Sequence, residues 1–391
     1  MLTSRFGFGY GLGYSACKEA SALVTLGHTV TVVHCYSSPE IAHFFDPQIT
    51  RVYLPMKRIP LVGFLLYFFT LKKFFRKKLD LRTFEIIYIQ SLEFGLLDLS
   101  RVETPVFYYA RSTMRGLQHA LHNEGEKKSS LANIIQVILV ALERRCMRYS
   151  KIIFVKSSQM AHEVSNFYGI PTNKIAVITG GVDEKDFQRQ SYASCTEFKR
   201  KFKIPLNVPL VLYAGRIVPQ KGLSYLIEAS LELFPEKQFV VAIAGAEVDV
   251  SYSAKVKRRV KKSDYPTRFY FLGHVDQREM SFVFNAADCL VTPSVYEPFG
   301  MVNLQAAFLN KYIITTDVTG SVELLANYKR IRIVHARSSS AIKLALRQVL
   351  SETNNIGQEV FDFQGFSWLD AAKKLTQFFG GEFEGTRKKG S

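Results

Sequence analysis

The sequence predicts an α/β protein built from two Rossmann-like domains that face a central cleft. Short apolar runs of strand length alternate with longer amphipathic runs of helix length, and a polar stretch over 188–203 separates two blocks of this alternation. Alternating strands and helices form parallel sheets covered on both faces, so each block predicts one domain. We expect the first domain over residues 1–187 and the second over 204–365, followed by a further helix over 366–380.

Composition narrows the class of protein. The chain has 391 residues, of which 47% are apolar and 22% charged, so it is long and apolar enough to fold around sizeable cores. Its net charge of +17 predicts an anionic partner: lipid head groups, nucleic acid or a phosphorylated substrate. Five scattered cysteines favour a reducing compartment over a disulfide framework or zinc site. No apolar run reaches the ~18 residues of a membrane span, and no signal peptide is predicted.

The N-terminal segment predicts a βαβ unit. A strand over 1–3 leads into a glycine-rich loop over 6–13, a helix over 14–26 and a strand over 29–33. The loop, which contains Gly11 and Gly13, would lie at the carboxyl edge of the sheet, where such folds bind ligands. The first strand is unusually short, so we expect a few residues to precede it.

Residues 56–80 combine an apolar, aromatic run with the cations Lys72, Lys73, Arg76, Lys77 and Lys78. This pattern predicts a helix that lies on an anionic membrane surface, where each cation contributes about 1 kcal/mol. The alternative is a core helix with a solvated basic end.

The rest of the first block predicts strands over 85–89, 105–109, 151–155 and 174–178, with helices over 132–148 and 159–167. Arg111 follows the second of these strands, at the ligand edge of the sheet. A guanidinium binds phosphate or carboxylate rather than moving a proton, so we assign no general base.

The second block begins with a strand over 209–214 and the loop Gly215-Arg216-Ile-Val-Pro-Gln-Lys221-Gly222. Two cations in a glycine-flanked loop before a helix form a clamp suited to a diphosphate. Strands over 238–244 and 269–273 follow, the second leading to His274 and Val275, with a basic helix face over 255–262 between them that is solvated or meets anionic lipid.

A strand over 289–293 then leads into Glu297-Pro298-Phe299-Gly300, which opens a helix over 301–309. The first-turn N–H groups of Gly300, Met301 and Val302 can bind an anion. Gln305 lies two turns into the helix, so Glu297 and Gln305 can hold two parts of one elongated ligand. A strand over 313–317 and a helix starting at Gly320 follow.

These two motifs resemble those of retaining GT-B glycosyltransferases, group 1 (family 4) class. The resemblance implies that Glu297 contacts hydroxyls of a donor sugar, while Arg216 and Lys221 bind the pyrophosphate and stabilise the leaving nucleotide. It assigns the ribose to the position of Gln305, where the family has Glu, and a catalytic His to the position of Arg111. Further donor contacts are implied for the loop and helix residues Gly215, His274, Val275, Phe299, Gly300, Met301 and Val302.

The resemblance also implies that the loop with Gly11 and Gly13 lies under the donor phosphate and acceptor, and that helix 366–380 crosses back onto the first domain. The expected activity is transfer of a hexose from a nucleotide-diphosphate sugar to a lipid-linked or cell-surface glycan precursor. Because fixed cations do the work of a metal and no Asp-x-Asp pair is present, we expect no metal and no cofactor. We expect a cytoplasmic protein held peripherally at a membrane.

Three alternatives stay open at this point. A nucleotide-sugar epimerase on the same fold would need acid and base carboxylates and no second substrate. A nucleic-acid-binding protein is suggested by charge alone, because the sequence contains no recognisable nucleic-acid-binding module. We expect no nucleic acid as a partner. A partner that binds donor sugar without turnover would fit the departures at Gln305 and Arg111.

Overall fold

The computed structural model describes residues 1–6, 11–36, 46–55, 62–100, 102–122, 130–182, 187–276, 279–352 and 361–380. The chain divides into two compact units. The first contains Met1–Gln118, Glu126–Gly181 and Gly365–Ser391, and the second contains His119–Gly125 and Val182–Gln364. The C-terminal helix therefore belongs to the first unit, and the main division falls earlier than residue 187.

Each unit has a parallel sheet. In the described residues, the first sheet has seven strands in the order β3-β2-β1-β4-β5-β6-β7, and the second has six in the order β10-β9-β8-β11-β12-β13. The strands are β1 (Leu2–Arg5), β2 (Thr31–Tyr36), β3 (Thr50–Tyr53), β4 (Ile87–Ile89), β5 (Val106–Ala110), β6 (Ile152–Val155), β7 (Ile175–Val177), β8 (Leu210–Ala214), β9 (Val240–Ala244), β10 (Phe269–Gly273), β11 (Cys289–Thr292), β12 (Tyr312–Thr316) and β13 (Ile331–Val334).

Helices connect the strands and cover the sheets. They are α1 (Gly11–Thr25), α2 (Val62–Lys77), α3 (Met114–Leu121), α4 (Ser130–Tyr149), α5 (Ser158–Tyr168), α6 (Tyr192–Lys201), α7 (Leu223–Leu233), α8 (Val250–Lys261), α9 (Met280–Ala286), α10 (Met301–Phe308), α11 (Ser339–Glu352) and α12 (Trp368–Phe379). Ser157 caps α5, since its side chain accepts a hydrogen bond from the Met160 N–H.

Alternate residues of each strand supply two cores in the first unit. Tyr108 of β5 faces a core that includes residues of α2, α4 and α5, so these three helices lie on one face of the sheet. Phe107 and Tyr109 face the other side, where they pack with Leu375 of α12. Helix α1 is on this side too, since the Tyr14 ring meets the Trp368 indole edge to face at 6.2 Å.

The second unit has the same two-sided arrangement. Leu212, Ala242 and Leu290 face the core formed with α9 and α10. Their neighbours along the strands face a second core, formed with α7, α8 and α11. The two faces are closed by different helices, so the carboxyl ends of the strands are left to the loops that form the candidate site.

Three sequence predictions need correction. The polar stretch 188–203, predicted to separate the two domains, contains α6 and is part of the second unit, because Phe187 and Phe198 are buried in that unit's core. The helix predicted from Gly320 is a 3-10 turn over Gly320–Val322, because backbone bonds tie it to the neighbouring loop. Gly11 and Gly13, predicted in a loop, lie in the first turn of α1.

Several predicted features lie wholly or partly outside the described residues. These include residues 7–10 of the glycine-rich loop, the start of the basic aromatic segment at 56–61 and the tail at 381–391. Within the described ranges, no helix has both the length and the apolar character needed to cross a membrane.

Candidate functional site

The cationic loop of the second unit is anchored at both ends. The Gly215 N–H donates to the carbonyl of Ala244 at 2.9 Å, and the Ile217 N–H donates to Ala246 at 2.9 Å. The Tyr213 hydroxyl donates to the carbonyl of Arg216 at 2.8 Å. Burial raises the pKa of Tyr213 well above its usual value, so this hydroxyl remains a neutral donor. The backbone of the loop is therefore fixed before any ligand arrives.

Gly222 ends this loop and meets the next strand closely. Its φ is +63°, and a Cβ at this position would lie 1.9 Å from the carbonyl oxygen of Pro293. Gln220 adds two contacts to the same segment: its carbonyl accepts from the Val295 N–H at 3.0 Å, and its side-chain amide donates to the carbonyl of Tyr296 at 3.0 Å. The loop that carries Arg216 and Lys221 is thus attached to the segment that carries Glu297.

Glu297 and Lys221 form an ion pair, in which the Lys221 ammonium donates to Oε2 of Glu297. Only 19% of the Lys221 side chain and 11% of the Glu297 side chain are exposed, so water screens the pair weakly. Arg216 lies nearby and donates to Gln220 Oε1 at 3.4 Å. Arg216, Lys221 and Glu297, to which the resemblance assigns the donor pyrophosphate and sugar, therefore share one loop cluster.

Backbone hydrogen bonds hold the acidic motif against the turn after β12. The Gly320 N–H donates to the Glu297 carbonyl at 3.0 Å, and the Ser321 N–H donates to the Phe299 carbonyl at 2.6 Å. The Phe299 side chain is buried in the core of the second unit, so it anchors the loop. Gly300 then precedes α10 as its N-cap residue, with φ +87° and no side-chain hydrogen bond to the helix. The N–H groups of Met301 and Val302 therefore have no intrahelical acceptor.

The remaining predicted donor residues lie at different depths. Gln305 is buried, 6% exposed, in the second turn of α10. Val275 is buried in the core after β10, whereas His274 is exposed. The Gly273 carbonyl accepts from the Gly245 N–H at 2.8 Å, which joins the ends of β9 and β10.

Arg111 of the first unit lies in a buried polar cluster at the end of β5. Its Nη2 donates to Glu19 Oε1 at 2.8 Å and to Gln90 Oε1 at 2.9 Å. Gln90 and Tyr88 also donate to Oε2 of Glu19, at 2.6 and 3.0 Å. Burial works against the charge of Arg111, but Glu19, Tyr109 and Tyr88 together outweigh it, so the pKa of Arg111 lies above its usual value.

This arrangement limits what Arg111 can do. Within the described part of the chain, its Nε and Nη1 atoms are buried without a hydrogen-bond partner. A phosphate that took both edges of the guanidinium would have to displace Glu19 or Gln90. Anion binding by Arg111 therefore stays a prediction, and no described contact places Gly11 or Gly13 beside it.

Sequence reasoning missed a buried polar network beneath α10. It consists of one amide and four hydroxyls that belong to Thr292, Asn303, Thr315, Thr319 and Ser321. A signal was present, because threonines end two apolar strands where a buried strand favours apolar residues. Across the described ranges, no group of three or more His, Cys, Asp and Glu side chains could hold a metal ion.

Two family models match the chain. The model described as Glycosyl transferases group 1 matches residues 195–359, and the model described as Glycosyltransferase Family 4 matches residues 10–186. Together the two matched ranges take in most of the sequence. They fall on the second and the first unit respectively.

Curated relatives share about a quarter of the aligned residues. An uncharacterized glycosyltransferase of Methanocaldococcus jannaschii is 26% identical over 241 residues, which cover 58% of this chain and 59% of that protein. Alpha-maltose-1-phosphate synthase of Mycolicibacterium smegmatis is 26% identical over 253 residues, which cover 61% of this chain and 65% of that protein. The match thus spans about three fifths of the length of these relatives.

Solved structures match nearly the whole chain. Sucrose-phosphate synthase from Thermosynechococcus elongatus has a TM-score of 0.78 at 18% identity, with 98% of each chain covered. Anabaena HepE, solved in complex with UDP and glucose, has a TM-score of 0.73 at 14% identity, with 97% of this chain and 98% of that chain covered. The predicted fold, two Rossmann-like units of the GT-B type, is confirmed.

Proposed function

Because the chain belongs to the group 1 glycosyltransferases, we propose that it transfers a sugar from a nucleotide-diphosphate sugar to an acceptor hydroxyl. The observation that carries this proposal is the cluster of Arg216, Lys221 and Glu297 at the carboxyl edge of the second sheet. Its two loops are tied together by Gly222 and Gln220. Fixed cations beside a carboxylate suit a ligand that carries both phosphates and hydroxyls.

The diphosphate would bind between the cationic loop and the start of α10. Arg216 and Lys221 supply charge, and the N–H groups of Gly300, Met301 and Val302 supply donors at the positive end of the helix. The loops are held by backbone bonds in the free protein, so little reorganisation is needed on binding. This supports metal-independent binding of the donor.

Glu297 would accept hydrogen bonds from hydroxyls of the donor sugar, and Gln305 would face the ribose. In the proposed reaction, the bond between the anomeric carbon and the diphosphate oxygen breaks, and the acceptor oxygen bonds to the same face of the sugar. The acceptor proton passes to the departing phosphate oxygen. Arg216 and Lys221 stabilise the negative charge that develops on that phosphate.

The named relatives are glycosyltransferases and synthases, which gives no support to the epimerase alternative. A non-catalytic sugar-binding role rests on the departures from the family pattern at Gln305 and Arg111. Only a measurement of turnover distinguishes this role from sugar transfer. The acceptor would be a glycan or a lipid-linked precursor at the cytoplasmic face of a membrane.

The membrane part of the proposal is supported by one side of the first unit. On α2, Lys73 and Arg76 are exposed and Phe69 is 66% exposed. On α4, which covers the same face of the sheet, Val137 is 70% exposed and Ile138 is 37% exposed. Exposed apolar side chains beside cations suit an anionic lipid surface.

The test is calorimetric titration with UDP, GDP and ADP, without metal and then with magnesium, on the wild type and on Arg216→Ala. We expect one diphosphate to bind with micromolar affinity without metal, and the variant to lose that binding. The cognate nucleotide sugar is then incubated with acceptors to detect transfer. If none of the three diphosphates binds, the proposed donor site is wrong; binding without hydrolysis or transfer would favour the non-catalytic role.

A further inference from the structure

Asn303 is fully buried in the first turn of α10, and both the oxygen and the nitrogen of its side-chain amide form hydrogen bonds. Its Oδ1 accepts from the Thr292 hydroxyl at 3.0 Å, while its Nδ2 donates to Thr315 Oγ1 at 3.0 Å and to Ser321 Oγ at 3.2 Å. One side chain therefore joins the helix to three separate segments of the second unit.

The partners of Asn303 belong to the framework of the site. Thr292 and Thr315 are neighbours in register at the ends of β11 and β12, and their hydroxyls are 2.8 Å apart. Thr315 in turn donates to Thr319 Oγ1 at 3.1 Å. These groups are all buried, so their hydrogen bonds are formed within the protein; Thr319 Oγ1 also lies 3.3 Å from Thr316 Oγ1.

Gly300 lies directly on this network. A Cβ at Gly300 would lie 2.8 Å from Thr319 Cγ2, 3.1 Å from Ser321 Oγ and 3.4 Å from Asn303 Nδ2. The turn that contains Ser321 also holds the carbonyl of Phe299 through its backbone N–H. Any loosening of the network would therefore shift the turn between Glu297 and α10.

We propose that Asn303 is a positioning residue that holds the first turn of α10, and with it Glu297, in the geometry required to bind the donor diphosphate. This inference rests on the proposed function, because that function gives the turn its ligand. Asn303 itself points into the protein and contacts no substrate. It acts through the N–H groups of Gly300, Met301 and Val302.

An amide is the side chain this position needs. Removing it leaves the hydroxyls of Thr292, Thr315 and Ser321 short of partners. A carboxylate of the same shape keeps the acceptor but loses the donors to Thr315 and Ser321. Once protonated, it regains one donor, and burial moves that protonation upward toward neutral pH.

The experiment compares Asn303→Ala and Asn303→Asp with the wild type. The readout is affinity for the diphosphate that the wild type binds, expressed as a ratio to the wild type at each pH. We expect Asn303→Ala to bind about tenfold more weakly. We expect Asn303→Asp to bind equally weakly at pH 8 and to recover part of the loss toward pH 5.5. The ratio removes the titration of the ligand itself.

Leu346→Ala is the control for lost stability. Leu346 is fully buried in the other core of the second unit, so its truncation destabilises the same unit without touching the network. We expect it to bind the diphosphate within twofold of the wild type. If Asn303→Ala does the same, or if Asn303→Asp matches the wild type at every pH, the positioning role is wrong.

Amide hydrogen exchange separates this inference from the proposed function. In the free protein, Asn303→Ala should speed exchange at 300–302 by at least about tenfold relative to Leu346→Ala. If the wild type binds no diphosphate, the proposed function fails, while exchange still decides whether Asn303 holds the turn. If exchange at 300–302 is unchanged, the inference fails even where diphosphate binding is confirmed.

Discussion

Lys221 and Glu297 bind each other in the free protein through a largely buried ion pair. They lie 76 positions apart, on loops that follow β8 and β11. A diphosphate that claims the Lys221 ammonium must therefore compete with the Glu297 carboxylate. The ion pair keeps both side chains in place, and it also weakens diphosphate binding, because the pair must be broken before Lys221 can bind the diphosphate.

This competition predicts opposite effects for the two partners. Lys221→Met should weaken binding of the bare nucleoside diphosphate by about 10–100-fold, since hydrogen bonds to charged groups contribute about 1.5–3 kcal/mol. Glu297→Gln should leave that binding equal or a few-fold tighter while sharply lowering transfer, because it frees Lys221 but weakens the hold on the sugar. Calorimetry and a transfer assay measure the two effects.

Glu232→Gln provides the control, because Glu232 pairs with Lys343 on the surface and should change neither quantity. If Glu297→Gln weakened diphosphate binding as much as Lys221→Met, Glu297 would orient Lys221 rather than compete for it.

The helix α10 shows what sequence could predict. Its start at Met301 and its end near Leu309 follow from Gly300 and from a mainly apolar run, and the structure has a helix over Met301–Phe308. The cationic loop and the described strands other than the edge strands β3 and β13 were predicted for the same reason, because their signals are local. The network under Asn303 was not, because it depends on which strand ends become neighbours.

The sequence predictions that failed did so for two different reasons. Helix α6 was missed because its stretch is polar: Phe198 is buried in the core, and Cys195 packs against the core while partly exposed. Arg111 was placed correctly after β5, but its pairing with Glu19 joins residues 92 positions apart, and no spacing rule predicts it.

The tight approach of Gly222 to Pro293 predicts a strong effect of a single methyl group. Gly222→Ala adds a Cβ that would lie 1.9 Å from a backbone oxygen, so the loop or the strand must move. We expect a loss of about 3 kcal/mol or more in the free energy of unfolding, or no folding. Urea denaturation measures this loss.

Gly273→Ala is the matched control in the same unit. Gly273 has φ +71°, close to that of Gly222, but nothing lies within 4 Å of its added Cβ. Only the backbone penalty of about 1–2 kcal/mol then applies. Equal losses in the two variants would show that the contact with Pro293 has no energetic role.

Glu143 predicts a pH dependence of stability. Burial raises the pKa of this carboxyl to about 7, against hydrogen bonds from Tyr168 and the Met114 N–H that lower it and Glu163 that raises it further. The folded state therefore binds this proton more tightly than the unfolded state. The resulting stability is fully present below the unfolded pKa and is lost as pH rises through 7.

For the wild type we expect this group to remove up to about 3 kcal/mol of stability between pH 5 and pH 8.5, by the linkage of pKa to folding. Glu143→Gln should flatten the curve, whereas Glu228→Gln, at a surface ion pair with Arg259, should not. Urea denaturation midpoints across this pH range measure the change in stability. If the stability of both the wild type and Glu228→Gln rose with pH, the prediction would be contradicted.

The exposed side chains of α2 and α4 predict binding to anionic vesicles. Lys73→Glu/Arg76→Glu should abolish flotation with vesicles that contain phosphatidylglycerol, because each cation contributes about 1 kcal/mol. Val137→Glu/Ile138→Glu should weaken it as well. Val250→Glu, at an exposed valine of the second unit, should float as the wild type does. Equal flotation with phosphatidylcholine alone would remove charge from the explanation.

Replacing Gln305 with glutamate should strengthen binding of the ribose. A charged acceptor forms hydrogen bonds roughly twice as strong as a neutral one, so Gln305→Glu should hold a ribose diol more tightly than the present amide does. We expect the variant to favour the ribonucleoside diphosphate over its 2′-deoxy analogue by about 5–10-fold more than the wild type does. Competition calorimetry with the two nucleotides measures this ratio.

Gln220→Glu, in the cationic loop, tests whether any added carboxylate has this effect. It should weaken binding of both nucleotides alike, through repulsion of the phosphates. If Gln305→Glu also weakened both equally, the side chain would face the phosphates or the core rather than the ribose.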